Sequence, residues 1–77
     1  MKKITIKKTS MKGYEHTYTG TIPELAEKFS YTLENGHSWN SKINRNPKTA
    51  KSLVSNLNAA AREFQRGYNH DYYELMA

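Results

Sequence analysis

The chain has 77 residues, a formal net charge of +5, three histidines and no cysteine. A chain of this length forms one domain, residues 1–77. It buries only about 60% of the surface that its unfolded form exposes, which leaves little room for an enclosed substrate cavity. The lack of cysteine excludes disulfides, thiolate metal sites and a cysteine nucleophile. No segment has the pattern of a secretory signal or a membrane span, so we expect a soluble, cytoplasmic protein without membrane contact.

Positive charge is concentrated in two stretches that contain no acidic residue. The first covers residues 1–12 and holds five lysines, and the second covers residues 37–51 and holds Lys42, Arg45, Lys48 and Lys51. Charge blocks of this kind attract a negatively charged partner, either nucleic acid or an acidic protein surface. For the N-terminal lysines, solubility and protection of a sheet edge are equally good explanations.

The N-terminal half predicts a β-hairpin followed by a helix. Apolar and polar residues alternate in residues 2–8, and residues 14–19 are rich in tyrosine and threonine, which favour strands. A turn with Gly13 separates the two predicted strands. Thr21 and Glu24 have the spacing of a capping box, so a helix is expected from about residue 22 to 34, where Asn35-Gly36 stops it. Residues 35–46 then form a connector in which Trp39 and Ile43 pack beneath the helices, with a position at an interface as the alternative for Trp39.

A second helix is predicted from Asn46, as N-cap, to Gly67, as terminator, with Pro47 at its first position. Its apolar side comprises Ala50, Leu53, Val54, Leu57, Ala61 and Phe64. Residues 71–76 are interpreted as a third strand beside the hairpin, with a last helical turn as the alternative. The predicted fold is therefore a small α+β domain of order ββααβ, a hairpin plus a C-terminal strand packed against two helices.

The sequence predicts no catalytic centre, no metal site and no cofactor. A zinc site needs three or four convergent ligands, and the histidines have no partners at ligand spacing. No serine lies in a strand–turn–helix nucleophile motif. The glutamates of the first helix are explained by a solvated helix face. We therefore expect a protein that is not an enzyme.

The polar side of the second helix is the most informative feature. Lys48, Lys51, Ser55, Asn58 and Arg62 recur at helical spacing, and a helix N-terminus attracts anions. The alternative is an ordinary solvated face. Because the stretch upstream is free of acids, we interpret this side as a partner-binding surface formed by Trp39, Lys42, Arg45, Lys48, Lys51, Asn58 and Arg62.

Residues 29–58 and the terminal Asp-Tyr-Tyr-Glu-Leu carry a family resemblance. The stretch Ser-Trp-Asn-Ser-Lys-Ile-Asn, followed by Asn-Pro-Lys-Thr-Ala-Lys-Ser-Leu, resembles a family of small uncharacterised bacteriophage accessory proteins. The resemblance implies a phage protein, made in the cytoplasm of a bacterial host, that binds and inhibits a host defence nucleoprotein such as a CRISPR–Cas effector. The alternative is a small DNA- or RNA-binding regulator that uses the same basic side.

Overall fold

The computed structural model describes residues 2–64 and 70–76, which form a three-stranded antiparallel sheet and three helices. Two consecutive strands are followed by three helices and a last strand. This order confirms the predicted α+β class, the hairpin and the C-terminal strand. Within the described residues, no helix is long and apolar enough to cross a membrane. The elements are β1 (Ile4–Thr9), β2 (Glu15–Gly20), α1 (Ile22–Lys28), α2 (Ser30–Trp39), α3 (Ala50–Phe64) and β3 (Tyr72–Met76).

Strand β1 lies in the centre of the sheet, between β2 and β3. Its Lys7 and Lys8 are therefore not at a sheet edge, and the edge-protection explanation for these two lysines is wrong. Lys7 instead lies 3.8 Å from a carboxylate oxygen of Glu15, and Lys8 lies 3.5 Å from one of Asp71. The hairpin turn closes at Gly13, whose φ of 91° is in the left-handed region that favours glycine.

The predicted first helix is divided into two helices. The capping box is present, with Thr21 N–H donating to Glu24 Oε1 at 2.8 Å and Glu24 N–H donating to Thr21 Oγ1 at 3.3 Å. Helix α1 ends at Lys28, and Phe29 separates it from α2. Helix α2 then continues to Trp39, so the prediction that Asn35-Gly36 stops the helix is wrong.

Gly36 is needed for helix packing and does not end a helix. It is buried inside α2 and faces α3. A Cβ atom at this position would lie 2.5 Å from the Cα of Ala60 and would overlap the Cβ of the same residue. The glycine therefore allows the two backbones to approach more closely than any side chain permits. Helix α2 ends three residues later, where Asn40 N–H donates to the Gly36 carbonyl at 2.8 Å.

Helix α3 begins at Ala50, so the predicted start at Asn46 and Pro47 is wrong. Thr49 caps the helix instead, because its Oγ1 accepts from Ser52 N–H at 3.0 Å. Threonine is nearly as good an N-cap as asparagine, so the sequence alone does not decide whether Asn46 or Thr49 caps the helix. The predicted end at Gly67 lies outside the described residues.

The core lies between the helices and one face of the sheet. Tyr73 is the largest fully buried side chain, and its ring packs edge-on against Phe29 with 5.4 Å between centroids. Burial raises the pKa of Tyr73 to about 12, partly offset by the nearby Thr32 side chain. Of the five described side chains on the predicted apolar side of α3, three are buried. The buried hydrophobic residues of the described chain are Ile6, Leu25, Phe29, Leu33, Ile43, Leu53, Leu57, Ala60, Ala61 and Tyr73.

Replacement of Gly36 tests the close helix contact. Without a clash, Gly36→Ala would stabilise α2 by up to about 1 kcal/mol through helix propensity. Because of the contact with Ala60, we expect a loss of about 1–3 kcal/mol in the free energy of unfolding, measured by urea denaturation. Ser38→Ala, at an exposed position of the same helix, is the control and should change stability by less than about 0.5 kcal/mol. A stabilised Gly36→Ala variant would contradict the packing.

The buried phenol of Tyr73 predicts a loss of stability at high pH. Folding raises the pKa of the Tyr73 phenol from 10.0 to about 12. The neutral phenol therefore contributes fully to the free energy of unfolding below pH 10, and this contribution is lost as the pH rises through 12. The loss reaches about 2 kcal/mol by pH 12. Tyr73→Phe should remove this part of the pH dependence in unfolding measurements, whereas Tyr72→Phe, at an exposed position, should retain it. Identical pH profiles for the two variants would refute the assignment.

Candidate partner-binding surface

The loop of residues 40–49 between α2 and α3 follows a path that hydrogen bonds determine. Nδ1 of His37 donates to the Ile43 carbonyl at 2.8 Å, since a carbonyl can only accept. Asn44 N–H donates to Asn56 Oδ1 at 2.7 Å, and Asn46 N–H donates to Asn44 Oδ1 at 2.8 Å. The cations of this loop are therefore held on an ordered segment, which lowers the entropy cost of binding a partner.

Trp39 and Ile43 have opposite environments. Ile43 is 3% exposed and anchors the loop in the core, as predicted. Trp39 is 61% exposed, so the prediction that it packs beneath the helices is wrong. The reason is its position at the end of α2, a helix whose buried residues are Leu33 and Gly36. An exposed tryptophan beside a cationic loop resembles the aromatic anchors of protein interfaces.

Arg45 forms an ion pair within the chain. Its Nη1 lies 3.2 Å from Oε2 of Glu34 on α2, and about half of each side chain is exposed. Surface pairs of this kind contribute about 0–1 kcal/mol because water screens them. The positive charge of Arg45 is therefore partly balanced by the protein itself, although a partner can still compete for it.

Unlike Arg45, the three lysines of the candidate surface are not neutralised by an ion pair with a described acid. Lys42, Lys48 and Lys51 are exposed, and none of them forms an ion pair with an acid in the described part of the chain. Lys51 lies in the first turn of α3, which contains no acidic residue. Cations are unfavourable at this positive end of a helix dipole, and a bound anion would relieve the repulsion.

Asn58 has a structural role that the sequence analysis missed. Its Nδ2 donates to the Tyr73 carbonyl at 2.8 Å, and its Oδ1 accepts from Tyr73 N–H at 2.7 Å. The side chain thus occupies the hydrogen-bonding groups of one residue of β3, much as a neighbouring strand would. Because this amide is occupied, we exclude Asn58 from the surface. Arg62 is exposed but lies about 16 Å from Lys51 along the helix, and we exclude it as well.

A groove of about 600 Å³ runs between the first two helices and the loop. Its apolar floor and charged rim are contributed by segments that are distant in sequence, which is why the spacing of residues did not reveal it. Its size lies within the range of ligand-binding clefts. The floor includes Ile22, Pro23, Ala26 and Pro47, and the charged residues are Lys2, Glu27, Glu34, Arg45 and Lys48.

The groove adds both signs of charge to the candidate surface. Arg45 and Lys48 line it on the loop side, while Glu27 and Glu34 line it on the helix side. In the described part of the chain, no group of three or more acidic, histidine or cysteine side chains is arranged to hold a metal ion. No protein-family model, no curated protein and no solved structure matches this chain. Function is therefore inferred from this surface and the groove beside it.

Removal of the Asn58 amide should cost stability. Asn58→Ala leaves the N–H and C=O of Tyr73 without their partner, and we expect a loss of about 1–3 kcal/mol in the free energy of unfolding. Ser55→Ala, at an exposed position on the same side of α3, is the matched control. Urea denaturation of both variants measures the difference. Equal, small losses in the two would show that the side-chain pairing with β3 contributes little.

Proposed function

We propose that this protein is a non-enzymatic binding protein whose cationic surface docks onto a negatively charged protein patch of a larger complex. The cationic surface is defined as Lys42, Arg45, Lys48 and Lys51, with Trp39 beside it in the chain. The observation that carries the proposal is the exposure of Lys48, in the loop just before α3, and of Lys51, in its first turn, where neither pairs with a described acid. Charges arranged in this way steer and orient an acidic partner.

The groove favours a protein partner over bare nucleic acid. Phosphates that contact Arg45 and Lys48 would also approach the carboxylates of Glu27 and Glu34, which line the same groove. Such like-charge contacts oppose binding. A protein segment with an acidic residue next to an apolar side chain meets no such conflict, because the apolar side chain fits the floor and the acid faces the cations.

The resemblance to phage accessory proteins supports a more specific version of the proposal. In that version, the partner is a host defence nucleoprotein, such as a CRISPR–Cas effector, in the cytoplasm of an infected bacterium. An inhibitor of this kind acts by occupying a surface and needs no catalytic group. A basic inhibitor does not mimic nucleic acid, so its contact is an acidic patch on the protein component.

Direct binding of DNA or RNA is the second candidate. It is favoured by the exposed aromatic side chain of Trp39, close in the chain to lysines that form no ion pair with a described acid. With about three phosphate contacts, affinity should fall steeply with salt, at a slope near −3 in log–log form. Titration of random duplex and single-stranded DNA at two salt concentrations tests this candidate. Absence of binding at low salt would eliminate it.

Charge reversal at the start of α3 tests the cationic surface. The double variant Lys48→Glu/Lys51→Glu should bind its partner at least about tenfold more weakly, because two attractions become repulsions. Its fold should be unchanged, since both side chains are exposed. Binding is measured by capture from infected host cells with tagged protein, with and without nuclease treatment, followed by quantification of the captured complex.

The matched control is Lys12→Glu/Lys28→Glu, which changes net charge by the same amount at other exposed positions. Lys12 lies in the hairpin turn, and Lys28 lies over the ring of Tyr18 at 5.1 Å. We expect this control to retain binding. Equal weakening of binding in both double variants would mean that only net charge matters. Undiminished capture by Lys48→Glu/Lys51→Glu would refute the assigned surface. Loss of capture after nuclease treatment would favour the second candidate.

A further inference from the structure

The outer edge of β2 carries backbone groups that are not used by the sheet. The backbone N–H and C=O of Tyr73 both form hydrogen bonds with the side chain of Asn58, so these two groups point away from β1. Tyr73 is opposite Lys8, which is in turn opposite His16. Along antiparallel strands, the residue pairs that share backbone hydrogen bonds alternate with pairs that do not. Since Tyr73 does not bond Lys8, the backbone groups of Lys8 point to β2 and form hydrogen bonds with those of His16. The N–H and C=O groups of the alternate β2 residues Glu15, Thr17 and Thr19 therefore point outward.

The turn of the hairpin agrees with this alternation. Ser10 N–H donates to the Tyr14 carbonyl at 2.7 Å. Tyr14 is thus bonded across the hairpin, like His16 and the other even-numbered residues of β2. Glu15, Thr17 and Thr19 are exposed. In residues 2–64 and 70–76, no hydrogen bond reaches their outward backbone groups. The edge is thus open to solvent over the length of the strand.

The two edges of the sheet differ in their protection. At β3, the side chain of Asn58 occupies the outward groups of Tyr73. Strand β2 has the sequence Glu-His-Thr-Tyr-Thr-Gly. It contains neither lysine nor proline, the residues that commonly prevent strands from pairing at an edge, and it is rich in residues that favour strands. In the monomer water solvates this row of groups, and another extended polypeptide can replace the water along the whole strand.

We propose that β2 pairs with β2 of a second copy of this chain, antiparallel about a two-fold axis at Thr17. This register uses the outward groups of all three exposed residues. It places Glu15, the only acidic residue of β2, opposite Thr19 of the partner subunit, so the two Glu15 carboxylates do not repel each other. The pairing is self-complementary, as a two-fold interface requires, and it joins the two sheets into one.

The interface is small, and the dimer is correspondingly weak. One six-residue strand buries much less than the ~800 Å² per partner of a standard interface. Dimerisation is therefore concentration-dependent. Helix α3 packs beside β3, at the opposite edge of the sheet from β2. None of the residues of the cationic surface lies on β2, so the two interactions can be tested with separate variants.

Sedimentation velocity and hydrogen exchange test the pairing. Between about 10 µM and about 1 mM protein, a range suited to weak affinities, the dimer fraction should increase. Over the same range, exchange of the outward amides of Thr17 and Thr19 should slow by at least about threefold. The amide of Ser10, which already bonds within the hairpin, should not change. A monomer at every concentration, with unchanged exchange, would overturn the proposal.

Two variants at the proposed axis locate the contact. Thr17→Pro removes an outward N–H that the molecule's own sheet does not use, so the fold tolerates it better than a proline in the centre of a sheet. Thr17→Lys brings like charges together at the axis. Both should abolish dimerisation, whereas Ser38→Lys, with the same charge change at an exposed position of α2, should not. A dimer that persists in both Thr17 variants would place the contact elsewhere and overturn the proposal.

Discussion

The close approach of α2 and α3 at Gly36 and Ala60 is the constraint on which the surface depends. With no side chain at Gly36, the two helices come together, and the loop between them runs beside α3, where Asn44 N–H donates to Asn56 Oδ1. The buried Ile43 and the hydrogen bond from His37 hold that path. The positions of Lys42, Arg45 and Lys48 follow from it, so a steric condition in the core determines where charge is displayed.

Charge at this surface is neither uniform nor fully compensated. Arg45 is paired with Glu34, while Lys48 and Lys51 are exposed and form no ion pair with a described acid. The N-terminal lysines of β1 are different, because Lys7 and Lys8 each approach an acid of a neighbouring segment. Two of the five lysines of the first basic stretch therefore have acidic partners within the fold, whereas the second stretch is proposed for binding.

Asn58 illustrates how one side chain connects the helices to the sheet. By bonding both backbone groups of Tyr73, it joins α3 to β3 and occupies part of an exposed strand edge. The same pair of bonds establishes which backbone groups point outward along the whole sheet, including those of β2. The position of α3 thus protects the edge of β3 at Tyr73, whereas no side chain plays this part for the described residues of β2.

The sequence by itself determined the elements that local rules govern. Alternation predicted β1, the tyrosine and threonine content predicted β2, and the aromatic character of the C-terminal segment favoured β3. The Thr21–Glu24 capping box predicted the start of α1, and helical spacing predicted the buried side of α3 at Leu53 and Leu57. Tertiary structure decided the rest. The burial of Gly36, the exposure of Trp39, the pairing of Asn58 with Tyr73 and the groove all depend on which segments meet. Local patterns carry no information about such long-range contacts, because a polar residue at helical spacing can face water or a strand edge equally well.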